Sequence, residues 1–465
     1  MSTELPPVVE HPRLTVVGTG YLGATHAVCM ATLGYEVLGI DVDEEKVRQL
    51  NSGVVPFFEP GLPEKLQEAL GSGRLRFTTD YDDAAAFGDV HFVCVGTPQT
   101  SGSAAADMTY VDSAFSELAR RITSRSLLVG KSTVPTGTAA RLTEMVHSLS
   151  PAGADLEVAW NPEFLREGFA VKDTLHPDRL VFGVESDWAQ AQLEAAFAPI
   201  MAEGTPVVVS DLATSELVKV AANSFLATKI SFINAMAEVC EATGADVSLL
   251  AQALSLDSRI GGRFLNPGLG FGGGCLPKDI RAFTHRADEL GVGQATAFLR
   301  EVDGINDRRR TRAVDVLREL VGGDLRGARI ACLGAAFKPN SDDVRDAPAL
   351  HVAQLLHDEG AQVIVYDPEA MPNARRKHPE LSYAASAEEA VERADAVALL
   401  TEWQEFRDAD PAALGALVTH RRLLDARHAL DADMYRAAGW EVRALGRPKQ
   451  SRPLTLGSRT RDGKD

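Results

Sequence analysis

The stretch Leu14-Thr15-Val16-Val17-Gly18-Thr19-Gly20-Tyr21-Leu22-Gly23 decides the fold. Its first four residues are a short apolar run, and its three glycines stand as GxGxxG. A helical pattern carried by Ala27, Met30 and Leu33 follows, then Gly34, then a second apolar run over 36–40 that closes on Asp41. Strand, glycine turn, helix and strand make a βαβ unit. Working outward, strand candidates recur at 90–95, Ser126–Gly130, Leu156–Trp160, Leu180–Gly183 and 206–209, each set off by turn residues or a helical pattern. That alternation predicts an α/β fold whose first domain, residues 1–210, is a Rossmann-like doubly wound, mostly parallel sheet.

From about Thr214 the pattern changes to one long helix. Glu216 lies in its first turn, Gly244 is its C′ residue, and Leu217, Val220, Phe225, Phe232, Ile233, Met236 and Cys240 are among its apolar positions. Such near-continuous apolarity predicts a helix buried between domains or subunits. Helical patterns run to about Glu319, broken by a glycine-rich loop from Gly261 to Gly274, and define a central helical domain over 211–322. A third domain, 323–446, repeats the logic of the first. Arg329–Leu333 reads as a strand, 348–356 as a helix, Gln362–Tyr366 as a strand ending on Asp367, and 396–400 as a later strand. Gly334-Ala335-Ala336 stands where GxG would be, so this second Rossmann-like domain has lost close approach to a pyrophosphate and should hold something else. Residues 447–465 are polar, basic and aperiodic, the pattern of a disordered tail.

At 465 residues the chain needs more than one core. A net charge of −18 excludes a basic stripe for nucleic acid, though an anionic ligand remains possible where cations gather. No apolar run is long enough to span a membrane, and MSTELPPVVEHP lacks the basic and apolar regions of a signal peptide. Five cysteines without a CxxC pair suit a reducing compartment and argue against a zinc cluster, so a cytoplasmic protein without a metal centre is expected.

The GxGxxG turn follows a strand, opens a helix, and has Asp41 about twenty residues on, which is the dinucleotide fingerprint in its full context. Asp41 would bond the adenosine ribose and repel a 2′-phosphate, so NAD is favoured over NADP. Cys29, Cys94, Cys240 and Cys332 lie within apolar helices and strands, as buried structural cysteines do. Cys275 instead follows Phe271-Gly272-Gly273-Gly274 and precedes Leu276-Pro277-Lys278-Asp279, where a nearby ammonium would favour thiolate. The residues alone leave a nucleophile and an inert loop thiol as equal readings. Lys219 and Asn223 share a helix face and either line a polar pocket or are an ordinary snorkelling pair. Glu163, after Asn161-Pro162, reads by itself as a commonplace first-turn glutamate at a helix start.

Taken together, VVGTGYLG, PFFEPGL, VGTP, KSTVP, NPEFLREG, SELVKVAANSFLA, RIGGRFLNPGLGFGGGCLPKD, AAFKPNSDDVRDAP and LLTEWQEF resemble the UDP-glucose/GDP-mannose dehydrogenase family, from the first strand to about residue 446. The resemblance implies an NAD-dependent, four-electron oxidation of a nucleotide sugar, UDP-glucose to UDP-glucuronate, through a thiohemiacetal and a thioester on Cys275. It implies that Lys219 and Asn223 stabilise oxyanions, and that Glu163, with Thr133 and Asp279 placing a water, hydrolyses the thioester. It places the cofactor on Gly18, Gly20, Tyr21, Leu22, Gly23, Asp41, Lys46, Thr97, Pro98, Thr133, Glu167, Lys278 and Arg345. It places the sugar nucleotide on Glu163, Phe164, Leu165, Lys219, Asn223, Phe264, Leu265, Asn266, Pro267, Gly268, Gly272, Phe337, Lys338 and Arg427, with Arg259 reaching a neighbouring subunit's site in a homodimer or higher oligomer. Gly274 stands where many of the family have serine and Phe58 where many have tyrosine, and neither change removes a reacting group. Rival readings are the same oxidation of GDP-mannose or a UDP-N-acetylhexosamine, a single-step hydroxyacid or 6-phosphogluconate-type dehydrogenase, and a non-catalytic NAD-binding scaffold. The hydroxyacid type has no use for Cys275, and a scaffold has no use for Cys275, Lys219 and Asn223 together.

Overall fold

The computed structural model describes residues 7–448. The expected tail lies, from residue 449 on, outside the described residues. Two compact units emerge. One comprises residues up to Leu226 together with Gly273–Glu301 and Asn340–Asp342; the other comprises Ala227–Gly272, Val302–Pro339 and the residues from Asp343.

The first unit is built on eight strands: β1 (Leu14–Val17), β2 (Val37–Ile40), β3 (Leu75–Thr78), β4 (Val90–Val93), β5 (Ser126–Gly130), β6 (Leu156–Trp160), β7 (Leu180–Gly183) and β8 (Val207–Ser210). Their order is β3-β2-β1-β4-β5-β6-β7-β8, parallel except where β7 meets β6. Alternate residues explain why these strands read as unbroken apolar runs. Leu14, Val16, Phe92 and Val129 join one buried cluster, while Val17, Ile40, Val93 and Leu128 join another. Both faces of the sheet are therefore covered, as parallel sheets require. Phe92 is fully buried, and truncating such a side chain to alanine costs about 3–5 kcal/mol. The order reverses between β1 and β4, which puts the carboxyl ends of those two strands at the crevice where such sheets take ligands.

The second unit carries β9 (Arg329–Leu333), β10 (Gln362–Tyr366), β11 (Ser382–Tyr383), β12 (Ala396–Leu399), β13 (Arg422–Asp425) and β14 (Glu441–Ala444), all parallel, in the order β11-β10-β9-β12-β13-β14. The pattern of the first six strands is thus repeated around one large apolar core. The third domain is Rossmann-like, as expected.

The long helix is Leu212–Thr243, with Gly244 after it at φ +76°. Burial is one-sided. Val220, Ala227, Ile233, Ala237 and Cys240 are buried, but Leu217, Phe225, Phe232 and Val239 are 42–66 % exposed on the single chain. The buried face of the helix packs within the chain, while the second apolar face has no apolar cover among the described residues. No helix among the described residues is long and apolar enough to cross a membrane.

Candidate active site

The glycine turn at the end of β1 is built for close approach. Gly18 adopts φ +86°, and a Cβ on Gly23 would lie 1.8 Å from the Gly18 carbonyl oxygen, so the helix Tyr21–Thr32 packs on the turn only with glycine there. Nothing stands within 4 Å of a Cβ position on Gly20, which leaves that face of the turn open. At the end of β2, Asp41 accepts the Thr19 backbone N–H at 2.8 Å and the Lys46 ammonium at 3.0 Å. Burial raises its carboxyl pKa, but the hydrogen bonds from Lys46, Asp43 and Thr19 outweigh that and hold it below its ordinary value. The carboxylate stays charged, ready to accept ribose hydroxyls and to repel a 2′-phosphate. These residues fit NAD.

A cavity lined by Thr97, Thr133, Pro135, Val220, Lys278 and Asp279 lies beside the β4 and β5 ends. The Thr97 hydroxyl donates to the Thr133 carbonyl at 2.9 Å, and the Lys278 ammonium reaches Thr97 Oγ1 at 3.3 Å. The predicted cofactor contacts Thr97, Thr133 and Lys278 and the predicted water-placing pair Thr133 and Asp279 therefore share one wall.

The predicted chemical residues converge in the same unit. Lys219 pairs with Glu163 at 2.9 Å, and the Asn223 amide donates to Asp279 at 2.7 Å. Asp279, buried, also takes the Lys278 ammonium at 2.6 Å. Lys219 and Asn223, one helical turn apart, both face this cluster and are almost fully buried. Burial pulls the Lys219 pKa down, but Glu163, Cys275 and Asp279 together push it above its ordinary value, so it remains an ammonium. Glu163 is not at a helix start. Residues 161–166 are irregular backbone, and the next helix is Ala170–Leu175. A proline followed by a glutamate has the same local signature in a loop as at a helix start, and here Glu163 turns back to accept its own loop's Leu165 N–H at 2.8 Å.

Cys275 is the one exposed cysteine; Cys29, Cys94, Cys240 and Cys332 are buried. A reagent can thus reach it, yet its thiol is pushed up to about 11. Desolvation is the largest cause, followed after the opposing Lys219 by the carboxylates of Asp279, Glu163 and Glu167. The expectation that a nearby ammonium would favour thiolate is corrected. Lys219 acts in that direction, but the Lys278 ammonium is engaged by Asp279, and desolvation together with the surrounding carboxylates prevails. Cys275 rests as a thiol.

Sequence reasoning passed over Lys131 in KSTVP. It is buried, donates to Asn161 Oδ1 at 2.7 Å just before Glu163, and is lowered to about 8, chiefly by desolvation. The signal available was a lysine directly after an apolar strand.

The second unit holds most of the predicted nucleotide-sugar contacts. Gly268 is seated between Asn234, which accepts its N–H at 2.9 Å, and Arg309, whose Nε donates to its carbonyl at 3.4 Å. Asn306 grips both the N–H and the carbonyl of Phe271, at 2.8 and 2.9 Å. Arg427 donates to the carbonyls of Leu400, Gly270 and Phe337. It thereby holds the glycine-rich loop at Gly270, two residues beyond the Phe264–Leu265–Asn266–Pro267–Gly268 segment, together with Phe337. Phe264 sits at φ +66°, in the left-handed region that an aromatic residue rarely adopts. The Lys338 ammonium lies 5.2 Å from the Phe337 ring centroid, Arg259 is exposed and paired with Asp257, and Arg345 is paired with Asp343 at 2.7 Å. Arg345 is thus in the second unit while Glu167 is in the first. At the altered Gly334-Ala335-Ala336 turn Asp367, at the end of β10 as Asp41 is at the end of β2, accepts the Ala335 and Ala336 N–H groups at 2.8 and 2.9 Å.

Fold and site together define an NAD-binding dehydrogenase with a cysteine beside a buried lysine, asparagine and two carboxylates. Residues 12–201 match the NAD binding domain of the UDP-glucose/GDP-mannose dehydrogenase family, 213–308 its central domain, and 331–432 its UDP binding domain. The chain is 41 % identical to a UDP-glucose 6-dehydrogenase of Rhizobium meliloti (strain 1021), over 94 % of this chain and 100 % of that one. It is 39 % identical to a UDP-glucose 6-dehydrogenase of Bacillus subtilis (strain 168), over 94 % and 93 %. The solved structure of a UDP-glucose dehydrogenase from the hyperthermophilic archaeon Pyrobaculum islandicum superposes with a TM-score of 0.85 at 36 % identity, covering 94 % of this chain and all of that one. The chain belongs to the UDP-glucose/GDP-mannose dehydrogenase family and is an NAD-dependent nucleotide-sugar dehydrogenase.

Proposed function

We propose that the chain oxidises UDP-glucose to UDP-glucuronate, with Cys275 carrying the sugar carbon through the second oxidation. The observation that carries this reading is one exposed cysteine whose electrostatic neighbours are the Lys219 ammonium and the carboxylates of Glu163 and Asp279. Bound NAD supplies the hydride acceptor twice. In the first step the C6 hydroxyl loses a proton and its carbon a hydride, giving an aldehyde. The Cys275 S–H then adds across the carbonyl: a C–S bond forms and the sulfur proton ends on oxygen. A thiol raised to about 11 is compatible with this addition, because no net proton is lost. Lys219 and the Asn223 amide are the donors for the developing oxyanion, an arrangement typically worth 10²–10³ in rate per donor. The thiohemiacetal presents a new C–H, and loss of its hydride and its hydroxyl proton leaves a thioester. Glu163 takes a proton from water as the water oxygen bonds to carbon and the C–S bond breaks, and the sulfur is reprotonated. The sum is one alcohol, two NAD and one water giving one carboxylate, two NADH and three protons.

The supports for UDP-glucose are the names of the relatives and the match to a UDP binding domain. A panel of UDP-glucose, UDP-galactose, UDP-N-acetylglucosamine, UDP-N-acetylmannosamine and GDP-mannose, each followed as NADH, tests the choice. Highest kcat/KM on any sugar but UDP-glucose overturns it. Three domains over 1–210, 211–322 and 323–446 remain our division of the chain, with the central part supplying Lys219, Asn223 and the Cys275 loop. Leu217, Phe225, Phe232 and Val239 recur at seven- or eight-residue spacing as an exposed apolar stripe, which supports a homodimer through this helix; light scattering at micromolar concentration should give twice the chain mass. A cytoplasmic setting suits an enzyme that must keep Cys275 as a free thiol.

A further inference from the structure

The motif Pro56-Phe57-Phe58-Glu59-Pro60-Gly61-Leu62 has no part in the chemistry above, yet its glutamate is among the most thoroughly engaged side chains of the first unit. Glu59 is 3 % exposed. One carboxylate oxygen accepts the Tyr21 hydroxyl and the Gly168 N–H at 2.7 Å; the other accepts the Ala170 N–H at 2.7 Å and the Val171 N–H at 3.5 Å. The Tyr21 hydroxyl in turn accepts the same Gly168 N–H at 2.9 Å, and its ring rests on Phe57 with centroids 5.0 Å apart. Tyr21 is the first residue after the second glycine of the cofactor turn, and Gly168 ends the loop that carries Glu163 and Glu167.

The loop has little freedom at that end. Gly168 adopts φ +78°, and a Cβ there would stand 2.6 Å from the Asn340 carbonyl oxygen. Arg166 clasps Asp173 through its backbone and its guanidinium, and Glu167 accepts the Ser341 hydroxyl at 3.1 Å. A buried carboxylate is tolerated only while its acceptors are filled. A shift of Tyr21 or of Gly168 therefore leaves Glu59 short of a donor, and this links the two segments energetically.

We propose that Glu59 is a positioning residue of the reaction: through Tyr21 it ties the cofactor turn to the 163–169 loop and holds Glu163 in register for hydrolysis of the thioester. The inference rests on the proposed role of Glu163 and extends it to a residue that touches neither sugar nor nicotinamide.

Tyr21→Phe is the sharper probe, because the ring still packs on Phe57 and Glu59 keeps its backbone donors. Glu59→Gln keeps the size but turns one acceptor into a donor facing N–H groups. Rapid mixing with UDP-glucose and saturating NAD, NADH absorbance, and intact mass after acid quench read the steps separately. At saturating NAD, which removes any change in cofactor affinity from the comparison, Tyr21→Phe should form its first two NADH per site faster than it turns over in steady state. Its steady-state turnover should fall about tenfold, the scale of one lost hydrogen bond to a charged group. The covalent sugar adduct on Cys275 should accumulate during turnover, and adding Tyr21→Phe to Glu59→Gln should cost nothing further. The proposal is overturned if Tyr21→Phe turns over within twofold of wild type, if the burst and the steady state slow equally, or if the two losses multiply. Where Glu59→Gln does not fold, the burst and adduct of Tyr21→Phe decide. A wild type that makes one NADH per sugar and no adduct would overturn the parent reading, and this one with it; two NADH with a normal Tyr21→Phe would overturn this one alone.

Discussion

Alkylation of Cys275 should be slow at neutral pH and should quicken when a neighbouring carboxylate is removed. With the thiol near 11, only about one molecule in a thousand is thiolate at pH 8, against about one in four for an ordinary cysteine. That deficit of roughly two hundredfold is partly offset, because a more basic thiolate is more nucleophilic, by about tenfold over this range. Iodoacetamide should therefore react about twenty times more slowly than with a free thiol. The four other cysteines are buried as well as raised, so Cys275 should still be the first to be modified. Asp279→Asn removes a charge that raises the thiol, and Lys219→Met removes the one that lowers it. The first should speed alkylation at pH 8 and the second slow it, although both should impair turnover. The assay is the second-order rate constant from pH 6 to 10.5, with the modified peptide identified by mass. The logarithm of the rate should climb with unit slope through pH 10. A plateau by pH 9, or slower alkylation in Asp279→Asn, would refute the electrostatic argument.

Three further outcomes follow from other residues. NAD should be preferred to NADP because Asp41 remains charged, and Asp41→Ala should narrow the ratio of the two kcat/KM values; equal use of both cofactors by the wild type would contradict this. Glu216, buried, accepts the Gly137 and Ala139 N–H groups at 2.7 and 2.6 Å, yet desolvation, the largest influence, raises it from 4.5 to about 7. The folded state then holds the proton more tightly than the unfolded state, so the contribution is complete below pH 4.5 and is lost as pH rises through 7. Between pH 5.5 and 8 that loss is about 2 kcal/mol, and Glu216→Gln should remove it; parallel pH dependence in urea unfolding of the two proteins would count against the assignment. Lys338→Ala and Arg259→Ala should each weaken UDP-glucuronate binding in calorimetry while leaving NAD binding unchanged, and an effect confined to NAD would reverse the assignment.

What could be read in advance was what is locally encoded. β1, the glycine turn, the helix and Asp41 follow from runs, spacing and the special conformations of glycine, and all stand where expected. β3, β11, β13 and β14 were not foreseen, because none holds more than two consecutive apolar residues, with Arg76 and Arg443 inside β3 and β14 and Arg422 opening β13, and only sheet pairing makes them strands. Within the site, helical spacing was enough to put Lys219 and Asn223 together. The thiol of Cys275 could not be judged from a nearby lysine, since Glu163 and Glu167 are more than a hundred residues distant in the chain and reach it only through the fold. Lys131, Glu59 and Asn306 owe their importance to burial and to partners far away in sequence, which no local pattern encodes.

In the proposed reaction Cys275 carries the second oxidation. The most direct measurement is the number of NADH formed per UDP-glucose consumed, with the product identified, in wild type and in Cys275→Ala. The wild type should yield two NADH per sugar, a carboxylate and no free aldehyde. Cys275→Ala should keep its fold and its NAD affinity but form no acid. If the alanine variant still makes two NADH per sugar at near the wild-type rate, the thioester route is wrong.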